Sequence, residues 1–188
     1  DNTPIVVDDS ATGAEDLPIS GNVLTNDKGS GNPAVGITVT SFTIGSTTYP
    51  AGQTATIAGV GSIIMNSDGT YTFTPADNYN GTVPLIEYTA TDANGGTDVG
   101  ALNLTVTPVN DAPVAVSETT ATPQDTPKTG TLFSNYSDVD GDTLTFHNLT
   151  PEAFHIDFNQ QPALLTVLPA SHAKTQQLII EVRDPAGE

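Results

Sequence analysis

Seven residues, Pro108-Val109-Asn110-Asp111-Ala112-Pro113-Val114, divide the sequence into two copies of one pattern. Pro4 and Pro113 stand 109 residues apart, and the same offset joins Asp16 to Asp125, Pro18 to Pro127 and Gly21 to Gly130. A chain that repeats in this way is expected to fold as two modules, 1–109 and 110–188, each long enough for a small core of its own. At the joint two prolines fix φ on either side of an acidic pair, so the connector is stiff and extended, unlike a Gly/Ser linker. Asp111, when ionised, and the carbonyl oxygen of Asn110 accept hydrogen bonds or bind cations. A joint of this kind points to a metal between modules.

Charge narrows the partners. The sequence has 22 Asp+Glu against 4 Lys+Arg, a formal net charge of −18, and both modules are acidic alike. Such a surface repels nucleic-acid phosphates and anionic lipid headgroups, which argues against either as a partner. It also carries self-repulsion that a divalent cation would relieve. There is no cysteine, so neither a disulfide framework nor thiolate chemistry is available. No apolar run approaches the ~18 residues needed to span a bilayer, and no signal peptide opens the chain. The sequence reads as a piece of something longer, with no direct membrane insertion.

Short alternating runs of Thr, Val, Ile, Tyr and Phe broken by Gly, Asn, Asp and Pro are the pattern of an all-β fold. In the first module Ile5-Val6-Val7 and Leu17 to Leu24 are the first strand candidates. Ile37 to Ile44 places Ile37, Val39 and Ser41 on one face and Thr38, Thr40 and Phe42 on the other. Asn66-Ser67-Asp68-Gly69-Thr70 is a turn between Ser62 to Met65 and Tyr71 to Thr74, which predicts a hairpin. Leu85 to Thr91 and Asp98 to Val106 complete the set. The second module offers Val114 to Val116, Lys128 to Phe133, Thr143 to Leu149, His155 to Phe158, Leu164 to Leu168 and Gln177 to Arg183. These elements predict two tandem antiparallel β-sandwich domains, with a barrel as the alternative. Leu178 to Gly187 corresponds to Ile86 to Gly95 at an offset of 92, so the closing strand of the second module is expected to be missing.

Several of these stretches resemble the tandem cadherin-like (Ig-like) repeats of large bacterial surface proteins, especially the extender repeats of repeats-in-toxin biofilm adhesins. They are Asn110-Asp111-Ala112-Pro113-Val114, Glu15-Asp16-Leu17-Pro18-Ile19-Ser20-Gly21-Asn22-Val23-Leu24, Asp138-Val139-Asp140-Gly141-Asp142, Asp68 to Pro75, and Tyr88-Thr89-Ala90-Thr91-Asp92. The resemblance implies β-sandwiches with calcium at the boundary between repeats and a role as a rigid spacer outside the cell. The first module departs from the pattern, because Asn26-Asp27-Lys28-Gly29-Ser30 stands where the second has Asp-x-Asp-Gly-Asp. A metal site at its amino-terminal end would be incomplete.

Calcium takes 6–8 oxygens at ~2.3–2.6 Å, and carboxylates spaced by one residue in a loop supply several from one segment. Asp138, Asp140 and Asp142 have that spacing, and Gly141 permits the turn. An EF-hand is excluded, since a strand candidate follows where its last Glu would stand. Asn110 and Asp111 from the joint, with Glu15, Asp16 and Asp92 assigned to the end of the first module, would complete a shared calcium site. The competing reading is a solvated acidic loop. Asp92-Ala93-Asn94-Gly95 also reads as a plain turn, Asp8-Asp9 reads as solvated, and Glu87 reaches the joint only if its strand ends there. His155, Asp157 and Glu152 lie close in sequence and with His172 offer a transition-metal set, although scattered histidine is the commoner arrangement. No Gly-x-Ser-x-Gly elbow or other nucleophile setting is present, so no catalysis is expected.

Two functions of different class remain. One is a non-catalytic, calcium-stiffened extender segment of a secreted bacterial surface adhesin, a monomer whose partners are the neighbouring repeats of its own long chain. The other is a carbohydrate-binding cadherin-like module of a secreted polysaccharide-degrading protein, with a glycan as partner. A sugar site needs an exposed aromatic platform. The sequence has no Trp, and Tyr79 in Asp77-Asn78-Tyr79-Asn80-Gly81 is the best candidate, although a tyrosine tucked over the sandwich end fits that position better.

Overall fold

The computed structural model describes residues 3–31, 34–117, 128–131, 136–148, 155–157, 164–167 and 180–187. The chain divides into two compact units, Asp1–Val109 and Asn110–Glu188. It is all-β, in that every regular element among the described residues is a strand.

The first unit contains β1 (Asp9–Ala14), β2 (Ile19–Asn22), β3 (Ile37–Ile44), β4 (Thr47–Pro50), β5 (Thr54–Ile57), β6 (Gly61–Met65), β7 (Thr70–Pro75), β8 (Gly81–Thr82), β9 (Ile86–Asp92) and β10 (Thr97–Thr107). One sheet runs β1-β10-β9-β3-β4, with β8 also on β10, and the second runs β2-β7-β6-β5. Their facing side chains form one core, in which Phe42, Ile63, Met65, Phe73, Ile86 and Tyr88 are fully buried. Burying each such side chain contributes ~1.5–3 kcal/mol.

The predicted hairpin is β6 paired with β7, Met65 opposite Tyr71. Its turn is fixed by Asp68, whose Oδ1 accepts from the Thr70 amide at 3.0 Å and the Thr70 hydroxyl at 2.6 Å. The hydroxyl first, and then the amide, hold the Asp68 carboxyl below its ordinary pKa. Gly69 takes φ +84°, and a Cβ there would lie 2.5 Å from Asn22 Oδ1 and 2.6 Å from Leu24 Cγ. Only glycine meets both demands without displacement.

Three local expectations are corrected. Ile5-Val6-Val7 does not open a sheet strand; Ile5 makes an isolated bridge to Lys28, and the sheet begins at β1. β1 pairs with β10 in parallel, Asp9 opposite Leu102 through Ala14 opposite Thr107, so the sandwich is not wholly antiparallel. Two strands in the same sense need a long crossover, and here the rest of the unit is that crossover. In β3 the register against β9 shifts between Val39 and Ser41. Thr40 is the extra residue of a β-bulge, which turns the strand by one position and sends Phe42 into the core with Val39. Simple alternation put Phe42 on the face opposite Val39.

The second unit contains β11 (Val114–Ala115), β12 (Lys128–Thr131), β13 (Tyr136–Ser137), β14 (Thr145–Asn148), β15 (His155–Asp157), β16 (Leu164–Val167) and β17 (Ile180–Arg183). Antiparallel pairing joins β11 to β13, β12 to β16 to β15, and β14 to β17. All six strand candidates read from the sequence fall on these elements. Tyr136 meets Phe146 edge to face, with ring centroids 5.3 Å apart.

Candidate metal centres

In the second unit the Asp-x-Asp-Gly-Asp stretch is a loop folded on its first carboxylate. Asp138 Oδ1 accepts from the Asp140 amide at 2.9 Å and the Asp142 amide at 3.2 Å, and Gly141 takes φ +75° to close the turn. Asp140 Oδ2 in turn accepts from the Asp111 amide at 2.8 Å. Asn110 Nδ2 donates to Asp184 Oδ2, and Asp184 Oδ1 accepts from the Gly187 amide at 2.7 Å. Asn110, Asp111, Asp138, Asp140 and Asp142 are thereby gathered at one end of the unit, and they are joined by Asp184, which is 3 % exposed.

Sequence reasoning left Asp184 out of the set. The signal was present, since Asp184 is the counterpart of Asp92 at the offset of 92.

Electrostatics at this end favour a cation. The Asp142 carboxyl is held above its ordinary pKa by loss of solvation first, then by repulsion from Asp138, Asp140 and Asp184. Asp138 Oδ2 is buried and accepts no hydrogen bond. A buried carboxylate oxygen without a donor is costly unless a positive charge stands against it. An oxygen-rich set with such an atom fits a hard cation such as calcium, and no sulfur or described imidazole in it favours a transition metal.

In the first unit Glu15 and Asp16 follow β1 at the end where β10 finishes, with the Glu15 amide donating to Thr107 O at 2.9 Å. Glu15 is 2 % exposed. Its carboxylate accepts from the Val109 amide at 2.5 Å and from Asn80 Nδ2 at 3.1 Å. Asp16 takes φ +60° and Asn78 φ +55°, a left-handed conformation that Asp and Asn tolerate best among side-chain-bearing residues. The pair is locked by the Asn78 amide, which donates to Asp16 Oδ1 at 2.9 Å. Glu15 is therefore both a candidate ligand and a strut that fixes where the chain leaves the unit.

Asp92 does not lie with Glu15 and Asp16, contrary to expectation. It ends β9 at the opposite pole of the first unit, beside the start of β10. The 11 residues of β10 span more than 30 Å at ~3.3 Å each. The Asp92 carboxylate, 5 % exposed, accepts from the amides of Ser30, Asn94 and Gly96, each at 2.9 Å. Bonds from Ser30 first, with those from Gly96 and Asn94, hold its pKa below the ordinary value against some loss of solvation. Asp92 is a turn cap. β10 separates it from the end of the unit expected from the sequence.

The remaining candidates are quickly placed. Glu87 lies on β9 opposite Ala101, five residues before the strand's end at Asp92, so its strand runs away from the end that holds Glu15. His155 and Asp157 lie on β15, whereas Glu152 and His172 fall outside the described residues. Tyr79 packs partly buried on the core and its hydroxyl donates to Thr82 O at 2.8 Å, so its ring is tucked over the sandwich end. A shallow groove beside the β5–β6 turn, lined by Thr56, Ile57, Ser62, Thr74 and Pro75 among others, contains no aromatic side chain.

Comparison with known proteins accords with this architecture. The sequence profile of the bacterial cadherin-like domain matches residues 1–108. The chain belongs to the bacterial cadherin-like family. Residues 110–188 match the profile of a bacterial Ig domain, so the second unit of this cadherin-like chain is similar to Ig domains where the sequence resemblance implied a second cadherin-like repeat. Among solved structures it is similar to the human desmocollin-1 ectodomain, at 15% identity and TM-score 0.47, over 98% of this chain and 34% of that one. It is likewise similar to extracellular cadherin domains 1–4 of protocadherin gamma B7, at 13% identity and TM-score 0.48, over 98% of this chain and 50% of that one. The cadherin-like chain thus spans about a third to a half of the length of these ectodomains. Comparison with curated proteins gives no match. No helix among the described residues is long and apolar enough to cross a membrane.

Proposed function

We propose that this cadherin-like chain is a non-catalytic extender segment of a secreted bacterial surface adhesin of the repeats-in-toxin kind, and that calcium stiffens its joint. The observation that carries the proposal is the loop of the second unit, where Asp138 gathers the amides of Asp140 and Asp142 and is left with a buried Oδ2 that accepts no hydrogen bond. Asn110, Asp111, Asp138, Asp140, Asp142 and Asp184 would hold the ion. Glu15 and Asp16 would be the first unit's share of the oxygen set, because Glu15 fixes the amide of Val109, which leads directly into Asn110. Bound calcium would supply positive charge to these carboxylates. The chain's own residues do the rest: Gly141 turns the loop, Asp111 ties the joint to Asp140, and the two prolines restrict what rotation remains.

The test is thermal melting and small-angle scattering of the whole chain in chelator and in millimolar calcium. A ligand that binds only the native state stabilises it by about 2.7 kcal/mol at a hundredfold excess over Kd, so calcium is expected to raise the melting temperature and to change the scattering profile. Asp140→Ala should remove most of that response and Asp68→Ala, in the β6–β7 turn, should keep it. If calcium moves neither melting nor scattering of the unmutated chain, the stiffening mechanism is wrong.

A further inference from the structure

Tyr88 lies on β9 opposite Gly100 of β10, and its ring is wholly buried. Its hydroxyl oxygen stands close to four others: Asp27 Oδ2 at 3.1 Å, Asp9 Oδ2 at 3.2 Å, and the carbonyl oxygens of Val7 and Val23 at 3.3 Å each. A phenol carries one hydrogen. It can serve one carboxylate well, and the other is then set against an oxygen with no proton between them. The hydroxyl is packed tightly against β10, since a Cβ on Gly100 would lie 2.6 Å from the Tyr88 hydroxyl and 2.5 Å from Val6 Cγ1. The phenol oxygen retains lone pairs and accepts from a protonated carboxyl. One extra proton therefore turns the arrangement into a chain, in which one carboxyl donates to Tyr88 and Tyr88 donates to the other.

We propose that Asp9, Tyr88 and Asp27 share one proton, and that this proton latches the segment from Ile5 to Asp9 onto the first unit. The segment's other anchors are hydrogen bonds to residues 26–28, Asp98 and Ala101. Ile5 and Lys28 exchange backbone hydrogen bonds at 2.8 and 2.9 Å, and the Val7 amide donates to Asp27 Oδ1 at 2.8 Å. Asn26 Nδ2 bridges Val7 O and Asp9 Oδ1, at 3.3 and 3.2 Å. The Val6 amide donates to Asp98 Oδ2 at 3.2 Å, and Asp8 Oδ1 accepts from Ala101 at 3.0 Å. The titratable groups facing the latch are thus Asp8 beside it, Asp98 on β10, Lys28 after Asp27, and Tyr71 on β7, whose hydroxyl is pushed up by burial and by Asp9. Lys28 is the first unit's single base, and it is exposed. Among the described residues no ion pair neutralises either carboxylate.

Burial pushes the Asp9 and Asp27 carboxyls above their ordinary pKa against the opposing hydrogen bonds, and repulsion from Asp27 adds to the rise at Asp9. Burial and the two carboxylates likewise push Tyr88 upward, so it keeps its hydrogen. A carboxyl whose folded pKa is raised binds more protons in the native state just above the unfolded value of 3.8. The latch is then fully made below that value and loosens as pH rises through the folded pKa.

The test is a carbon NMR titration of the Asp carboxyl and Tyr88 Cζ signals in the whole chain, with amide exchange at Val6 and Val7. Asp9 and Asp27 are expected to titrate in coupled steps, the upper one above the ordinary carboxyl range and mirrored at Tyr88 Cζ. After correction for intrinsic rates, Val6 and Val7 should lose protection about tenfold for each unit by which the proton is held above that range. Asp27→Asn, or Asp9→Asn if the first fails to fold, should abolish the upper step. Two independent carboxyls titrating at ordinary values would overturn the proposal, as would an upper step that survives the substitution or one that vanishes on adding millimolar calcium, which would make the cluster a cation site.

Discussion

Replacing Glu15 by Ala tests whether this residue is a strut of the first unit, and the structure sets the size of the effect. The carboxylate is 2 % exposed and accepts from the Val109 amide and Asn80 Nδ2. Hydrogen bonds to a charged acceptor contribute about 1.5–3 kcal/mol each, and truncation leaves two donors with no acceptor. The loss should be about 3–5 kcal/mol, a large part of the ~5–15 kcal/mol that holds a domain together. For a domain near this size that corresponds to a fall of roughly 10–20 °C in melting temperature. The measurement is urea or thermal denaturation in chelator, so that no metal ligation enters. Glu15→Gln should lose only part of this, since its amide oxygen still accepts from Val109 and Asn80 can turn its own oxygen toward the new donor. If Glu15→Ala melts within a few degrees of the unmutated chain in chelator, the two hydrogen bonds do not support the end of the unit.

Gly69→Ala should destabilise the β6–β7 hairpin by about 1–3 kcal/mol, because φ +84° and the contacts with Asn22 and Leu24 both oppose a side chain; chemical denaturation reads it. Phe73→Ala empties the centre of the core and should cost about 3–5 kcal/mol by the same measurement. Asp92 has its pKa lowered by amide donors, so its contribution is present above the unfolded value of 3.8 and is lost as pH falls through the folded one. Exchange at the Gly96 amide should accelerate relative to its intrinsic rate below pH ~3.8, and Asp92→Asn should flatten that dependence.

Patterns confined to neighbouring residues were legible in the sequence. The β6–β7 hairpin is encoded by a turn whose Asp and Gly act on their own segment, and Asp138 gathers residues only two and four positions away. What was hidden depends on distant partners. β1 reads Asp-Ser-Ala-Thr-Gly-Ala, with little β propensity, and exists because β10 offers its backbone. The bulge at Thr40 answers to β9 and has no sign in β3 itself. Asp92 was assigned to the same end of the unit as Glu15, yet an 11-residue strand carries the chain from one pole of the unit to the other. Burial of Glu15 could not be read either, since its donors, Asn80 and Val109, lie 65 and 94 positions away.

The parallel pairing of β1 with β10 bears on how the first unit meets mechanical load. Tension applied through the two ends of the unit pulls β1 toward its amino terminus and β10 toward its carboxyl terminus, so two strands lying in the same sense are drawn past each other lengthwise. Six residue pairs, from Asp9 opposite Leu102 to Ala14 opposite Thr107, resist that sliding together. A hairpin at the same place would open one rung at a time. Rupture in shear requires the whole ladder to yield at once.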